Sequence, residues 1–287
     1  MLAIYKRELR SYFVTPTGYV FLGLFLLLSG IYFAFGTILS GSSRFANFLG
    51  SIQFIFLLAT PVLTMRLMAE EMRQKTDQLL LTSPIGLHEI VLGKFLAALT
   101  LFAAAFLVCL SYSIVIILYG DFQAPETLSA ALGFLLLGGC FIAVGTFISS
   151  TTENQAIAAV GTFAVLLIFW IMEPIKSSLP QDINAGIIFA AAIALLLVYA
   201  LHASTKSLLY SAIAAMAFAA AITICAIFRS SFFYGLIASA LEWFSLLKRQ
   251  ESFTMGLIKL DNVFYYLSFI FLFLFLSVRF IEKRRWA

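Results

Sequence analysis

Charged residues are scarce in this chain, and their scarcity excludes most water-soluble folds. Asp, Glu, Lys and Arg make up only 11% of the 287 residues, whereas 62% are hydrophobic. Soluble domains carry about 25% charged residues, so one soluble core could not hide this much apolar surface. In a bilayer every backbone polar group must be satisfied internally, which leaves helices or a closed barrel. Residues 19–39 contain no charge and do not alternate between apolar and polar, so the sequence indicates helices.

Catalytic and ligand-binding residue patterns are equally sparse. His88 and His202 stand apart from any paired carboxylate or cysteine cluster, which argues against an intramembrane enzyme. The cysteines are odd in number and lack the spacing of a metal site. Residues 86–94 do not meet the spacing of a phosphate-binding loop. We therefore expect no catalytic residue, cofactor or metal on this chain, and no nucleic-acid partner, because basic residues beside spans are usually topology signals.

Apolar runs of spanning length recur along the chain. Taking about 20 residues for each crossing, we predict about eight spans. They lie near residues 19–40, 47–68, 92–119, 128–149, 156–172, 185–202, 208–228 and 263–281. An even number places both termini on one side of the membrane, and the distribution of Lys and Arg marks that side as cytoplasmic. The sequence thus predicts an all-α, polytopic transmembrane helical bundle in contact with the lipid bilayer.

The first 18 residues are predicted to form an amphipathic helix. Its apolar residues recur at intervals of three and four, and its basic residues lie on the opposite side, which is typical of a helix lying flat on a membrane surface. The apolar side comprises Leu2, Tyr5, Leu9 and Tyr12, and the basic side comprises Lys6 and Arg10. We expect residues 1–18 to lie on the cytoplasmic leaflet, with Tyr5, Lys6, Leu9 and Arg10 as its interfacial residues.

The segment 66–94 is the longest polar stretch that this topology places in the cytoplasm. Its opposite charges recur at four-residue spacing, and each such pair contributes a few tenths of a kcal/mol to a helix. The predicted pairs are Arg66 with Glu70, Glu71 with Lys75, and Arg73 with Asp77. The residues alone leave two interpretations open: a solvated connector, or a docking element for an external motor.

Every Asp, Glu, Lys and Arg falls at or beyond the end of a predicted span. Secondary transporters and pumps commonly carry ionisable residues inside the membrane for ion coupling. If this chain moves a substrate, the energy must therefore reach it from outside the membrane.

The same polar segment resembles a known family. Residues 65–84 and 89–95 are similar to the MR-x-x-x-EE-x-x-x-x-T-x-x-LL-x-[ST]-P…E-I-V-x-GK pattern of ABC-2 type transporter permeases. Residues 6–13, 149–155, 253–260 and 282–286 look closest to the gliding-motility branch of that family. The resemblance covers residues 1 to about 172 and about 232 to 287.

The resemblance implies an exporter-like permease in the cell inner membrane, with six spans. Such a permease pairs with a second copy or a related permease, and a cytoplasmic ABC ATPase dimer that binds ATP and Mg drives transport or mechanical work. Carried over to this sequence, the residues that couple to the ATPase are Arg66, Glu70, Glu71, Arg73, Thr76, Leu79, Leu80, Ser83 and Pro84.

The predicted domains follow this plan with one departure. Residues 19–172 hold the first five spans and include the coupling segment 66–94, whereas residues 183–228 form an extra two-span hairpin that could recruit a further membrane or envelope subunit. Residues 230–262 are predicted as helices at the outer interface, and residues 263–287 as the last span with a basic cytoplasmic tail.

A scaffold that anchors a cytoplasmic partner and transports nothing is the alternative function. It shares the docking segment with a transporter, so ATP hydrolysis in vesicles is the observation that separates the two.

Overall fold

The computed structural model describes residues 1–41, 44–76, 86–120, 122–180, 182–228 and 233–286, and these residues form helices and turns with no strand among them. The helices are α1 (Leu2–Val14), α2 (Pro16–Phe33), α3 (Phe45–Thr64), α4 (Ala69–Arg73), α5 (Leu87–Leu110), α6 (Ser113–Tyr119), α7 (Ala124–Thr151), α8 (Gln155–Ser178), α9 (Ile183–Thr205), α10 (Leu208–Phe228), α11 (Leu236–Phe244), α12 (Leu246–Thr254) and α13 (Leu260–Trp286). A turn of π-helix, Ala34–Ile38, extends α2. The prediction of an all-α fold is confirmed.

Among the described residues, six helical stretches are long and apolar enough to cross a membrane. They are Pro16–Ile38, Phe45–Arg73, Leu87–Tyr119, Ala124–Thr151, Gln155–Ile175 and Leu260–Arg284. Two shorter apolar helices, Ile183–Tyr199 and Ala212–Ala226, lie between the fifth and the sixth. The chain is therefore a multi-pass membrane protein, and the seventh and eighth crossings remain a prediction.

The chain turns between α1 and α2 at a proline and a glycine. Pro16 begins α2, where its fixed φ suits the first helical turn and its missing N–H costs no hydrogen bond. A Cβ atom at Gly18 would lie 2.1 Å from the carbonyl oxygen of Tyr12. Only glycine therefore allows α2 to start this close to the end of α1.

Helix α7 is the centre of one compact unit, which comprises Met1–Ile168 and Leu246–Ala287. It packs against α3, α5, α12 and α13. Glycines on α7 allow the close approach: a Cβ atom at Gly145 would lie 2.2 Å from Thr64 Oγ1 on α3, and one at Gly138 would lie 2.2 Å from Phe102 Cε1 on α5. Small residues at such contacts are the usual means of packing helices in a membrane, where dispersion contacts drive association.

Aromatic rings fill the space between these helices. The rings of Phe56 on α3 and Phe102 on α5 lie with their centroids 4.2 Å apart and their planes tilted by 32°. Phe56 also contacts Phe25 on α2 and Phe141 on α7, and all four side chains are buried. This cluster sets the spacing of α2, α3, α5 and α7.

Helix α12 packs into the same unit. Its residues Leu246, Gln250 and Phe253 are buried, and the hydroxyl of Tyr266 on α13 donates a 2.7 Å hydrogen bond to the carbonyl of Leu246.

The second compact unit comprises Phe169–Ser245. Within it α9 and α10 pack against each other, and the chain reverses between them at Lys206, which has a left-handed φ of 50°. Helix α11 packs against α9, where a Cβ atom at Gly186 would lie 2.0 Å from the carbonyl oxygen of Phe233.

Candidate functional site

The predicted coupling segment departs from a continuous helix. Helix α3 ends at Thr64, residues 65–68 form turns, α4 is short, and a further turn covers residues 74–76. Lys75 in that turn has a left-handed φ of 56°. The expectation of one regular helix from residue 66 onward is therefore wrong, because turns at residues 65–68 and 74–76 flank the five residues of α4.

Ser149, at the end of α7, bonds the backbone N–H and C=O groups that the interruption of the helix leaves unpaired. Its hydroxyl oxygen accepts hydrogen bonds from the backbone N–H groups of Met68 and Ala69, at 3.0 and 3.2 Å. The same hydroxyl lies 3.2 Å from the carbonyl of Met65, to which it donates. A side chain from α7 thus caps α4 in place of a local residue, and it ties the segment to the central helix.

Four side chains next to α4 form a closed ring of alternating charge, which we call the four-charge ring: Arg7, Glu8, Glu71 and Lys94. Arg7 contacts Glu8 at 2.7 Å and also contacts Glu71. Lys94 Nζ lies 3.2 Å from Glu8 Oε1 and 2.9 Å from Glu71 Oε2. Each cation therefore touches both carboxylates, and the ring is neutral as a whole.

Lys94 is the buried member of this ring. Its side chain is 1% exposed, against 14% for Glu8, 17% for Glu71 and 51% for Arg7. Its ammonium also donates a 2.6 Å hydrogen bond to the carbonyl of Leu67, inside the turn that precedes α4. An unpaired charge at such a position would cost several kcal/mol in desolvation, so the two carboxylates and the carbonyl are what permit a lysine here.

The sequence brings α1 to the ring through a glycine on α5. A Cβ atom at Gly93 would lie 3.2 Å from Ile4 Cγ2, so the glycine lets α1 pack closely against α5. Ile4 and Tyr12 are buried on the same face of α1 as Glu8, at the four-residue spacing of one helix side. This contact places Glu8 beside Lys94.

Tyr12 anchors the other end of α1. Its hydroxyl donates a 2.9 Å hydrogen bond to the carbonyl of Leu63 near the end of α3. Burial, and then the charge of Glu8, raise the pKa of Tyr12, although Arg66 opposes the shift. The hydroxyl therefore keeps its proton and remains a donor.

The face of α1 that packs against the protein differs from the apolar side that its pattern directs to the membrane. Ile4 is buried, whereas the side chain of Leu2 is exposed. Tyr5 is half-buried and its hydroxyl shares a 3.1 Å hydrogen bond with Thr100 on α5. Lys6 and Arg10 are exposed and Leu9 is half-buried. Glu8 lies on this buried face, where the amphipathic pattern predicts no charge, because its buried partner Lys94 comes from a distant part of the chain.

Of the three ion pairs predicted in the segment, one forms, one does not, and one includes a residue outside the described residues. Arg66 pairs with Glu70 as expected, and it also donates a 3.2 Å hydrogen bond to Thr17 Oγ1. The predicted partner of Glu71 was wrong, because its carboxylate turns inward to Arg7 and Lys94. The third predicted pair, Arg73 with Asp77, includes a residue that lies outside the described residues.

The outer face of α4 is the part of the segment that solvent reaches. Arg73 is exposed, as are Gln74 and Lys75, whereas Thr76 is half-buried. Met72 turns inward and lies 2.7 Å from Arg284 Nη1 on α13. The remaining predicted coupling residues, Leu79, Leu80, Ser83 and Pro84, lie outside the described residues.

Comparison with known proteins shows that part of the chain is similar to a known family. Residues 46–184 match the family model of ABC-2 family transporter proteins. The matched region covers just under half of the chain, and it includes the coupling segment, Lys94 and Ser149. It supports an ABC-2 type permease, which is a membrane subunit. No curated protein matches the chain.

The sequence analysis did not identify three residues of the site as functional: Lys94, Ser149 and Glu8. Lys94 and Ser149 stand inside the ABC-2 motifs quoted for the resemblance, yet their partners are 86 and 84 residues away in sequence. Glu8 stands in the N-terminal motif, outside the region that matches the ABC-2 family model. The available signal was Gly93 beside Lys94, because glycine permits another segment to approach closely and a lysine at such a contact is buried only when it is paired.

Proposed function

We propose that this chain is the permease subunit of an ATP-driven ABC-2 type transporter, with ATP hydrolysis on a separate cytoplasmic ABC ATPase. The observation that supports it most is that the segment within the family match is held on two sides. Ser149 ties α4 to α7, and Lys94 ties it to α5. A push on α4 would therefore reach two membrane-spanning helices without passing through a flexible linker.

The proposed docking face divides the predicted coupling residues by role. Arg73 offers an exposed charge to the ATPase, and Arg66 with Glu70 stiffens the segment beside it. Glu71 lies on the opposite side of α4 and holds the segment to Lys94. We keep Thr76, Leu79, Leu80, Ser83 and Pro84 in the docking region as the resemblance implies.

Reversing the charge of Arg73 should weaken the ATPase complex. We expect Arg73→Glu to raise the Kd for the ATPase at least tenfold, because unfavourable charge juxtaposition at an interface costs several kcal/mol. Folding should be unchanged, since Arg73 is exposed. Binding of the purified ATPase to the permease in nanodiscs measures the Kd.

The matched control for Arg73→Glu is Arg44→Glu. Arg44 is also exposed, but it precedes α3 at the end opposite the coupling segment, so its reversal should leave the Kd unchanged. Equal losses in both variants, or no loss in either, would contradict docking at α4.

We propose that the chain lies in the cell inner membrane with both termini in the cytoplasm and crosses eight times. Helix α9 has 23 residues and α10 has 21, so at about 1.5 Å per residue each can traverse a hydrocarbon core of about 30 Å. The exposed Lys6 and Arg10 of α1 suit a helix that borders the anionic cytoplasmic leaflet.

The position of the turn between α9 and α10 tests this topology. Lys206 is exposed, and eight crossings place it in the cytoplasm. We expect Lys206→Cys, in a chain without its three native cysteines, to resist an impermeant thiol reagent in intact cells and to react after permeabilisation. Labelling in intact cells would leave six crossings, with the hairpin outside. A cysteine at Arg44 serves as the outside control.

The finer features of the assembly are part of the same proposal. The N-terminal and C-terminal motifs support the gliding-motility branch, and the ABC-2 resemblance supports pairing with a second permease copy and an exporter-like direction or mechanical work. The hairpin at residues 183–228 offers apolar surface for a further membrane subunit.

A further inference from the structure

We propose that Lys94 is a positioning residue that makes α1, residues 65–76 and the start of α5 move as one body. The proposal rests on the proposed function for the source of the movement, whereas the rigid junction itself is a property of this chain. In this view α1 is a working part of the coupling apparatus as well as a membrane-surface helix.

The hydrogen-bonding capacity of Lys94 is fully used. A lysine ammonium has three donors and no acceptor. Here it faces three acceptors on two other chain segments: Glu8 on α1 at 3.2 Å, Glu71 on α4 at 2.9 Å and the carbonyl of Leu67 at 2.6 Å. One buried side chain on α5 thus joins both segments, and each bond is directional.

Arg7 closes the ring from the solvent side. It contacts the same two carboxylates as Lys94, so Glu8 and Glu71 are each held between two cations. Burial lowers the pKa of Arg7, but the two carboxylates outweigh this and raise it. Helix α1 and the segment therefore stay joined even where the ring meets water.

The ring is one of several contacts that bind α1 in the same position. Tyr12 bonds the carbonyl of Leu63 at 2.9 Å, and Ile4 packs over Gly93. These contacts hold α1 to α3 and α5 but do not reach α4. The ring is the ion-paired link between α1 and α4, so its loss should loosen α4 from α1 while Ser149 still holds α4 to α7.

Charge and position can be separated by mutation. Lys94→Met removes the bonds and leaves the ring with a net negative charge. Adding Glu71→Gln restores neutrality, with Arg7 still paired to Glu8, but it does not restore the connection between α4 and α5. If Lys94 acts by position, the double variant should regain thermal stability without regaining coupling.

Pulsed EPR distances test the junction directly. Spin labels at Arg10→Cys on α1 and Gln74→Cys after α4 both lie at exposed positions, in a full-length chain without native cysteines. We expect one narrow distance distribution, unchanged when the bound ATPase is given ATP. Lys94→Met and the double variant should at least double its width and reduce permease-stimulated ATP hydrolysis at least tenfold.

Glu282→Gln is the matched control, because it removes a carboxylate from the ion pair with Arg279 on α13 and leaves the ring intact. It should keep the narrow distribution and most of the stimulation. Should Lys94→Met fail to fold, Glu71→Gln alone takes its place with the same expected broadening.

A narrow distribution in the ring variants would overturn the proposal, as would a distance between α1 and α4 that changes with ATP in the native ring. The width of the distance distribution is measured without the ATPase, so it tests the rigid junction alone. A failure of the proposed function would appear separately, as an ATPase whose hydrolysis does not respond to the permease.

Discussion

Lys94→Met is expected to lower the free energy of unfolding by about 3 kcal/mol. Removing one partner of a buried ion pair costs about 3–5 kcal/mol, mostly because the remaining charge stays desolvated. Glu8 and Glu71 keep 14% and 17% exposure, so water screens part of this cost and the lower end of the range applies. Reversible unfolding in mixed micelles measures the change.

Lys6→Met provides the comparison for this loss. Lys6 has the same side chain on an exposed face of α1, and exposed substitutions usually change stability by no more than about 0.5 kcal/mol. A Lys94→Met variant as stable as Lys6→Met would show that the ring does not form in the membrane.

Gly145→Ala is expected to destabilise the chain by about 1–3 kcal/mol, the usual cost of overpacking a close contact. The added Cβ would lie 2.2 Å from Thr64 Oγ1 and 2.7 Å from Thr64 Cβ. Thr64 is the last residue of α3 and cannot withdraw, because its hydroxyl bonds the carbonyl of Thr60 at 3.0 Å. Helices α3 and α7 must therefore separate.

The separation of α3 and α7 should also disturb the coupling segment. Ser149 lies one turn after Gly145 on α7, and its bonds to Met68 and Ala69 would lengthen as α7 moves away. We expect Gly145→Ala to expose residues 65–76 to protease in addition to lowering the unfolding temperature.

Gly23→Ala on α2 is the control for this effect. No atom lies within 4 Å of a Cβ at Gly23, and alanine exceeds glycine in helix propensity by about 1 kcal/mol. This variant should be neutral or more stable. If the two alanine variants behaved alike, the close contact of α3 and α7 would be wrong.

The helical class and most helix positions could be predicted from the sequence, because long apolar runs leave the chain few alternatives in a bilayer. The short-range pair of Arg66 and Glu70 followed from the same kind of local rule. Local rules failed for Glu71, whose partners lie on α1 and α5, since spacing along one helix contains no information about neighbours from distant segments.

The buried face of α1 shows the same limit. Residues Ile4, Glu8 and Tyr12 are four apart, but a carboxylate in the middle made the face look polar. The inward position of Glu8 is explained by Lys94, which is 86 residues away. The role of Ser149 could not be predicted either, because the backbone N–H groups that it caps lack a helical partner only where the predicted helix is interrupted.

The most direct test of the central claim is ATP hydrolysis by a reconstituted complex. The full-length chain is placed in liposomes and combined with the ABC ATPases of its source organism, one at a time. We predict that one ATPase binds and that its hydrolysis rate changes severalfold in the presence of the native chain, but not with the Arg73→Glu variant. An ATPase that binds with an unchanged rate would indicate a scaffold, and no binding by any of them would contradict the assignment as a transporter subunit.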